Sequence, residues 1–483
     1  MAFKFFTLSL LSGIIVASGS NQTRHNPALP GWHSDPSCVF VPDWDNTTFG
    51  VASTFLLTPG LPTYASKDNT NFKLASHALS RKDQYPEFDQ SITMNDGIWA
   101  PTIRYHNGTF YIITIYRNNL LPAGSDQGLI FKTINPYDDN AWSDPVRYNA
   151  KSIDPDLFWD DDGTAYIASA GTYLQTVDLE SGAFGEAKSI WYGTGEGFSE
   201  GPHLYRKDGF YYLMTAEGGS GLNHSVVIAR SNAIFGPYEG FEGNPILTNR
   251  GSDEYFQNIG HADLFHDARG QWWSTALAWR SGPEGKTYPM GREMVLTNVT
   301  WNDGEWPIIE PVRGTQAGWY LEPPNNISGP NAFITDPDII DFEPNSTLPA
   351  HFGFWCWPEQ ESYEISSPGH PGTLQLKPSF ASITAGYKNY TAGYDLGNYT
   401  LVMRRQTHTV FQFSADVDFT PVSQDEEVGV TVFLNQVQNI NLGIVMLPKQ
   451  TYPGSNSTSI KELSKECYLP IQETVSGTWI ITV

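Results

Sequence analysis

Ile98-Trp-Ala-Pro-Thr-Ile-Arg-Tyr-His-Asn-Gly-Thr-Phe-Tyr111 sets out one complete structural unit: a turn closed by proline, an alternating apolar run, an Asn-Gly turn and an aromatic pair. Alternation on both sides of a two-residue Asn-Gly turn is the signature of a β-hairpin. The plan returns at His33-Ser-Asp-Pro-Ser-Cys-Val-Phe, Ile153-Asp-Pro-Asp-Leu-Phe, Glu200-Gly-Pro-His-Leu-Tyr and Gly260-His-Ala-Asp-Leu-Phe. Asp162-Gly163, Asp208-Gly209 and Arg269-Gly270 supply the later turns, with Asn46 in that place in the first copy. Tyr166, Phe210-Tyr211-Tyr212 and Trp272-Trp273 supply the aromatics. Copies start near residues 35, 100, 154, 201 and 262, a spacing of about 47 to 65 residues. Several strands at a period near 50 describe a β-propeller blade, so the chain is predicted to be all-β with five blades. An irregular β-sandwich of repeated hairpins is the alternative.

Composition agrees with many short strands. Among 483 residues there are 44 Gly and 33 Pro, and aromatics reach 14%. Charged residues make up 17%, below the roughly 25% of ordinary globular chains. With 28 Lys+Arg against 52 Asp+Glu the net charge is 28 − 52 = −24, and no basic cluster is present. That balance argues against nucleic acid and anionic membrane surfaces as partners. The aromatic content argues against disorder.

Residues 1–20 read as a signal peptide. Lys4 is the positive end, Phe5 to Ala17 the apolar stretch, and Ser18, Gly19 and Ser20 the small residues before cleavage. The apolar stretch is too short to span a bilayer. Asn-x-Ser/Thr sequons at Asn21, Asn46, Asn107, Asn223, Asn298, Asn326, Asn345, Asn389, Asn398 and Asn456 fit a secreted, glycosylated, extracellular product. Of three cysteines, Cys356 and Cys467 are the expected disulfide pair, since both lie in the C-terminal third. Cys38 is then expected to be free and buried in a strand. No cysteine spacing suggests a metal site.

In a propeller the first strand of every blade lines the central channel, so residues at the mouths of those strands converge. Here these are Asp35, Trp99, Asp154, Glu200 and His261. Aligned on the proline, Glu200 and Trp99 stand one position ahead of Asp35 and Asp154, an offset that needs a bulge or strand shift to aim all four inward. A lone Asp-Pro is ordinarily a turn or cap residue. Three carboxylates brought to one place raise one another's pKa, which suits a general acid. Two of them about 6.5–9.5 Å apart would hydrolyse a glycoside with inversion, and about 5–5.5 Å apart with retention.

Asn26-Pro-Ala-Leu-Pro-Gly-Trp-His-Ser-Asp-Pro-Ser resembles the opening of glycoside hydrolase family 43. Gly97-Ile-Trp-Ala-Pro-Thr-Ile-Arg-Tyr, Ser152-Ile-Asp-Pro-Asp-Leu-Phe, Ser199-Glu-Gly-Pro-His, Gly260-His-Ala-Asp-Leu-Phe and Gly291-Arg-Glu resemble its later motifs, in order, over about residues 26 to 315. The resemblance implies a five-bladed propeller that inverts at the anomeric carbon. It implies Asp35 as the general base, Glu200 as the general acid, and Asp154 as the residue that tunes and orients the acid. It also implies substrate contacts from Trp99, Arg292 and His261. The plainer alternatives are an inter-blade core residue for Trp99 and an ion pair for Arg292. In parts of the family the histidine matching His261 lies beside a metal, often calcium, or water. Imidazole is a poor calcium ligand, so no cofactor is required, with calcium near His261 as the one candidate and a structural hydrogen-bonding role otherwise.

Leu321-Glu-Pro-Pro-Asn-Asn-Ile-Ser-Gly-Pro330 opens a linker, placed at 321–334 between a propeller at 21–320 and a second domain at 335–483. Tyr363-Glu-Ile, Leu374-Gln-Leu, Phe411-Gln-Phe-Ser-Ala-Asp-Val-Asp-Phe and Gly429-Val-Thr-Val-Phe alternate at period two, the mark of a β-sandwich. The stretch from Asp341 through Trp355-Cys-Trp357 to Gly372-Thr-Leu-Gln-Leu resembles the concanavalin-like jelly-roll of family 43 β-xylosidases and arabinofuranosidases. Its remaining length is shorter than usual there, so a truncated sandwich is the expectation.

Taken together, the resemblance implies an inverting glycosidase that removes terminal arabinofuranose or xylose from arabinoxylan or xylo-oligosaccharides of the plant cell wall. The residues leave open a non-catalytic carbohydrate-binding propeller, or an arabinan-degrading member of the family. Retaining fructan hydrolases open on Trp-Met-Asn-Asp-Pro, where this chain has His33-Ser-Asp-Pro.

Overall fold

A computed structural model describes residues 22–91, 93–119, 121–122, 124–319, 327–383, 399–424, 426–446, 466–470 and 475–482. The signal-peptide reading, five of the sequons (Asn21, Asn326, Asn389, Asn398 and Asn456) and the side chain of Cys467 fall outside these residues. Among the described residues there is no α-helix, only strands and single 3-10 turns.

The repeats fold as four-stranded antiparallel sheets, one per copy and five in all, forming a propeller. Their inner strands are Ser34–Val41, Gly97–His106, Asp156–Trp159, Glu200–Lys207 and Phe256–His266. The sequence sets the hairpins. His106 pairs with Thr109 and Lys207 with Phe210 across two-residue turns whose central residues all have positive φ: Asn107 50°, Gly108 81°, Asp208 51° and Gly209 84°. That geometry twists with the strands, and Asn, Asp and Gly adopt it at least cost.

Each junction between neighbouring sheets is filled by its own apolar cluster. Phe49, Phe110 and Trp142 lie between the first and second, Ile113, Ile130 and Leu157 between the second and third. Phe158, Tyr166 and Leu213 lie between the third and fourth, Met214, Ile259 and Val295 between the fourth and fifth. Cys38, Trp273 and Met294 close the ring between fifth and first. Each fully buried large side chain in these clusters contributes about 1.5–3 kcal/mol.

The ends of the propeller are tied together. Gln22–His25 pairs antiparallel with Thr315–Trp319, and Arg24, 3% exposed, donates to the Leu296 carbonyl and to Gln316 Oε1. Further along, Ala28 N donates to Met294 O at 2.9 Å and His33 N to Arg292 O at 2.8 Å. The first inner strand is thereby delivered beside the fifth blade.

The C-terminal region is bonded to the propeller. Residues 327–334 do not swing free: Asn331 Nδ2 donates to Leu74 O, Ile334 N to Phe72 O, and Ile327 is buried in the first inter-blade cluster. Phe352–Trp355 adds to the propeller's Leu57–Thr58 and to Val402–Arg404 as a three-stranded sheet. Beyond it Gln412–Phe419 pairs with Val475–Thr482, and Glu427–Asn435 pairs with Gln438–Val445.

Two expectations are corrected. Cys356 is a free, buried thiol turned toward Ser91 O at 3.6 Å, not half of a disulfide with Cys467. It packs with Leu56 of the propeller, in the bend that follows the strand Phe352–Trp355. Asn298 is 1% exposed inside Glu293–Thr300 and accepts from Gln271, so that sequon has no room for a glycan. Asn46, Asn107, Asn223 and Asn345 are exposed. Cys38 is free and buried.

Candidate active site

At each channel mouth one residue takes the left-handed backbone conformation: Asp35 (φ 53°), Ala100 (44°), Asp154 (56°), Gly201 (52°) and His261 (46°). For the non-glycine residues this costs on the order of 1–3 kcal/mol each, a cost that persists only where surrounding structure enforces it. Strand register shifts at the same place in four blades, between Ser34 and Ser37, Trp99 and Thr102, Glu200 and His203, and Gly260 and Asp263. The shift falls at the same place relative to the proline in the first, second and fourth blades, so the bulge gives each mouth two consecutive irregular positions, with Asp35 on the left-handed one and Trp99 and Glu200 one residue ahead of it. Proline, with no N–H to donate, sits in three of the bulges, as Pro36, Pro101 and Pro202, without losing a ladder bond. Gly201 has a further constraint: a Cβ there would meet the His261 ring at 2.9 Å.

Asp35, Asp154, Glu200, His261 and Arg292 form one electrostatic cluster. His261 Nδ1 is 3.6 Å from Asp35 Oδ1 and 3.9 Å from Asp154 Oδ2, and Arg292 NH1 is 3.6 Å from Asp35 Oδ1. The Ser53 hydroxyl donates to Asp35 Oδ2 at 2.7 Å while accepting from Ala100 N at 2.7 Å. Arg292 also reaches Ser34 Oγ at 3.1 Å, and Gly201 N donates to Asp154 Oδ2 at 3.0 Å.

The carboxyls are driven apart. Burial alone would raise the pKa of Asp35, but His261, Arg292 and the Ser53 and Ser34 hydroxyls outweigh it and hold the group below the ordinary value. Glu200, half-buried, is pushed up to about 7 by burial and then by the charges of Asp154 and Asp35, against His261 and Arg292. Asp154 is likewise raised to about 7 by burial and by Asp35. His261 is lowered, chiefly by burial, against the pull of Asp35 and Glu200. At neutral pH the cluster therefore presents an ionised Asp35 opposite a pair, Asp154 and Glu200, that holds a proton.

The loop leading into Glu200 is pinned from beneath. Buried Glu217 accepts from Thr194 N at 2.9 Å, from the Thr194 hydroxyl at 2.5 Å and from the Ser199 hydroxyl at 2.9 Å. On the side of the first two blades an aromatic wall stands beside Asp35. Trp32 meets Phe55 at 5.4 Å between ring centroids, and Phe55 meets the half-buried Trp99 at 5.5 Å. Arg117 lies 5.0 Å over Trp99, whose indole N–H donates to Asn95 O at 3.1 Å.

Below the carboxylates the channel is plugged by Arg104. Its NH1 lies 2.7 Å from Asp263 Oδ2 and its NH2 lies 2.6 Å from Asp156 Oδ1 and 3.1 Å from His203 Nδ1. Ser37 Oγ donates to Asp263 Oδ2 at 2.6 Å and Tyr205 OH to Asp263 Oδ1 at 2.8 Å. Every blade contributes to this knot. Burial alone would raise Asp263, but Arg104 and His203 hold it far below the ordinary carboxylate range. Among the described residues no group of three or more His, Cys, Asp or Glu side chains is arranged to hold a metal ion.

Residues 24–307 match the family described as glycosyl hydrolases family 43. The chain belongs to that family. Residues 340–474 match the β-xylosidase C-terminal concanavalin A-like domain that accompanies family 43 propellers here. A family 43 relative, the non-reducing-end α-L-arabinofuranosidase of Bacteroides ovatus, is 36% identical over 434 residues, covering 88% of this chain and 77% of its own. A xylosidase/arabinosidase of Butyrivibrio fibrisolvens is 34% identical over 445 residues, covering 87% and 80%. The crystal structure of a family 43 protein of Bacillus licheniformis superposes with a TM-score of 0.76 at 30% identity, covering 88% of this chain and 80% of that one. As a family 43 member the chain is a glycosidase that hydrolyses O-glycosyl bonds.

Of the residues the sequence singled out, the structure brings Asp35, Asp154, Glu200, His261 and Arg292 together, with Trp99 in the aromatic wall of the same mouth. Ser53, Trp32, Phe55 and the Arg104 knot were not singled out. Asp156, His203 and Asp263 did carry a signal, since each stands two residues past its left-handed mouth residue.

Proposed function

We propose that this glycosidase is a secreted, inverting exo-enzyme that releases terminal arabinofuranose or xylose from arabinoxylan or xylo-oligosaccharides by single displacement. The observation that carries the reading is the split among the carboxyls: Asp35 ionised, Glu200 raised to about 7. An ionised Asp35, held by Ser53, suits a general base that takes a proton from water as the water attacks the anomeric carbon. A protonated Glu200 suits the general acid that gives its proton to the departing glycosidic oxygen. Asp154 shares a proton with Glu200, so its negative charge keeps the acid protonated until the leaving group needs it. Trp99, Phe55 and Trp32 offer apolar faces to the terminal sugar, and Arg292 offers donors to its hydroxyls. A carbohydrate-binding propeller without catalysis has no use for this split. The named activities of the relatives support arabinofuranose and xylose as the sugars, and the leader reading of residues 1–20 supports export.

The first test pairs 4-nitrophenyl α-L-arabinofuranoside with the β-D-xyloside, beside a Glu200→Gln control. Release from either one that disappears in the control is the expected result and names the sugar. Anomeric proton NMR of the first product should show inversion, and retention would exclude single displacement.

The pH profile follows from the same groups. Turnover should fall as pH rises through about 7, where the Glu200–Asp154 pair gives up its proton. On the acid side it should persist to below the ordinary Asp range, because Asp35 is lowered. A kcat/KM profile flat to pH 9 would break the assignment of Glu200.

A further inference from the structure

Next to Glu200 stands an apolar ring that the reaction as described does not use. Phe198 is 57% exposed, whereas Ser199 is buried and turned inward to Glu217. The chain runs from here directly into the strand Glu200–Lys207, and extended backbone sends successive side chains to opposite sides. Phe198 is thus exposed two residues ahead of Glu200, with the inward-turned Ser199 between them. The ring is also held in place. Gly171 N donates to Ser199 O at 2.7 Å, and a Cβ on Gly171 would lie 3.3 Å from the Phe198 ring and 2.8 Å from that of Tyr173. Lys151, exposed, places its ammonium 4.9 Å over Tyr173. A fixed ring face, a second ring and a flexible cation thus line one side of the mouth, between the third and fourth blades.

The aromatics of the mouth therefore fall into two sets on either side of the carboxyls. Trp32, Phe55 and Trp99 stand on the Asp35 side, and Phe198 and Tyr173 stand on the Glu200 side. A general acid must face the oxygen of the departing group. Whatever is attached to that oxygen lies over the residues beside the acid. An exposed, pre-positioned ring costs little to order and packs against the C–H face of a sugar ring, while a neighbouring ammonium donates to its hydroxyls.

We propose that Phe198, supported by Tyr173 and Lys151, is the platform that binds the leaving-group sugar, a pyranose unit of the substrate chain, and so sets the preference for saccharide over small leaving groups. This rests on the glycosidase reading given above, with Glu200 as the acid. The test compares Phe198→Ala with the wild type on two substrates carrying the same terminal sugar: the disaccharide and the corresponding glycosyl fluoride, whose leaving group has no ring and needs no proton. The quantity read is the ratio of kcat/KM for disaccharide over fluoride. It should fall roughly tenfold in Phe198→Ala, the size of one lost aromatic contact, and return toward the wild-type ratio in Phe198→Tyr. The loss should appear mainly in KM for the disaccharide. A ratio unchanged in Phe198→Ala, with both rates measurable, overturns the platform and leaves the glycosidase reading standing. A ratio that falls equally in Phe198→Ala and Phe198→Tyr also overturns it, because a flat ring would then not be what matters. A wild type that turns over neither substrate removes the glycosidase reading and the platform with it. Since Phe198 is more than half exposed, the alanine variant should fold normally, and a circular dichroism melt matching the wild type confirms that the ratio reports binding.

Discussion

Asp35→Asn should lower kcat/KM by about 10³–10⁴-fold on every glycoside, with the melting temperature nearly unchanged. The amide keeps the Ser53 hydrogen bond but cannot take a proton from water. Glu200→Ala should show a loss of similar size on a natural disaccharide, where the leaving sugar alkoxide needs protonation. On a 2,4-dinitrophenyl glycoside that loss should shrink to tenfold or less, because so weakly basic a leaving group departs unassisted. Asp35→Asn should show no such recovery, since the departing group does not alter the need for a base. Rescue of both variants, or of Asp35→Asn alone, would mean the two roles are reversed or shared. Asp154→Asn should fall between them and move the alkaline limb of the pH profile downward, because removing its charge lets Glu200 ionise more readily.

Replacing Arg104 should be the most damaging single change to stability. Arg104→Met leaves Asp156 and Asp263, both fully buried, without their guanidinium and with only the His203 ring between them. Breaking a buried ion pair by removing one partner costs about 3–5 kcal/mol, here read as a lowered propeller melting temperature. The sign of the pH dependence distinguishes this cause from lost packing. In the wild type Asp263 is held low, so its contribution is present above the unfolded carboxylate pKa and lost as pH falls. In the variant Asp263 would lose the Arg104 charge and be raised by its burial instead, so the deficit should be greatest at pH 8 and shrink toward pH 5. A deficit independent of pH would point to the missing side-chain volume alone.

The difference between what the sequence disclosed and what it hid has a physical basis. Hairpins are local: Asn107-Gly108 and Asp208-Gly209 dictate their own turns, so the repeat and the fold class could be read directly. Asp35, Asp154 and Glu200 were visible because a channel-lining position recurs at the same point of each repeat beside proline. The bulges at the channel mouths were not visible, since a register shift leaves no distinctive residue. Arg104 was hidden for a related reason. It stands two residues beyond the position its counterparts Asp156, His203 and Asp263 occupy, and only the length of its side chain carries the charge into their midst. Ser53 and Phe198 owe their places to neighbouring blades and to a pinned loop. Cys356 and Cys467 were paired by proximity along the chain, but a disulfide needs matching Cα separation and Cβ direction, neither of which sequence spacing supplies.

The strand Gln22–His25 is made early and its partner Thr315–Trp319 only after all five sheets. Until the fifth sheet is synthesised, Asp35 is without the two groups that offset its burial in the finished channel, because His261 and Arg292 both belong to the last blade. A ribosome-bound fragment ending before the fifth sheet would thus display a strand edge and an untuned carboxyl, but no hydrolytic function. Catalytic competence would appear in one step, late in synthesis, together with resistance to proteolysis. The first turnover would then serve as a timestamp for completion of the ring.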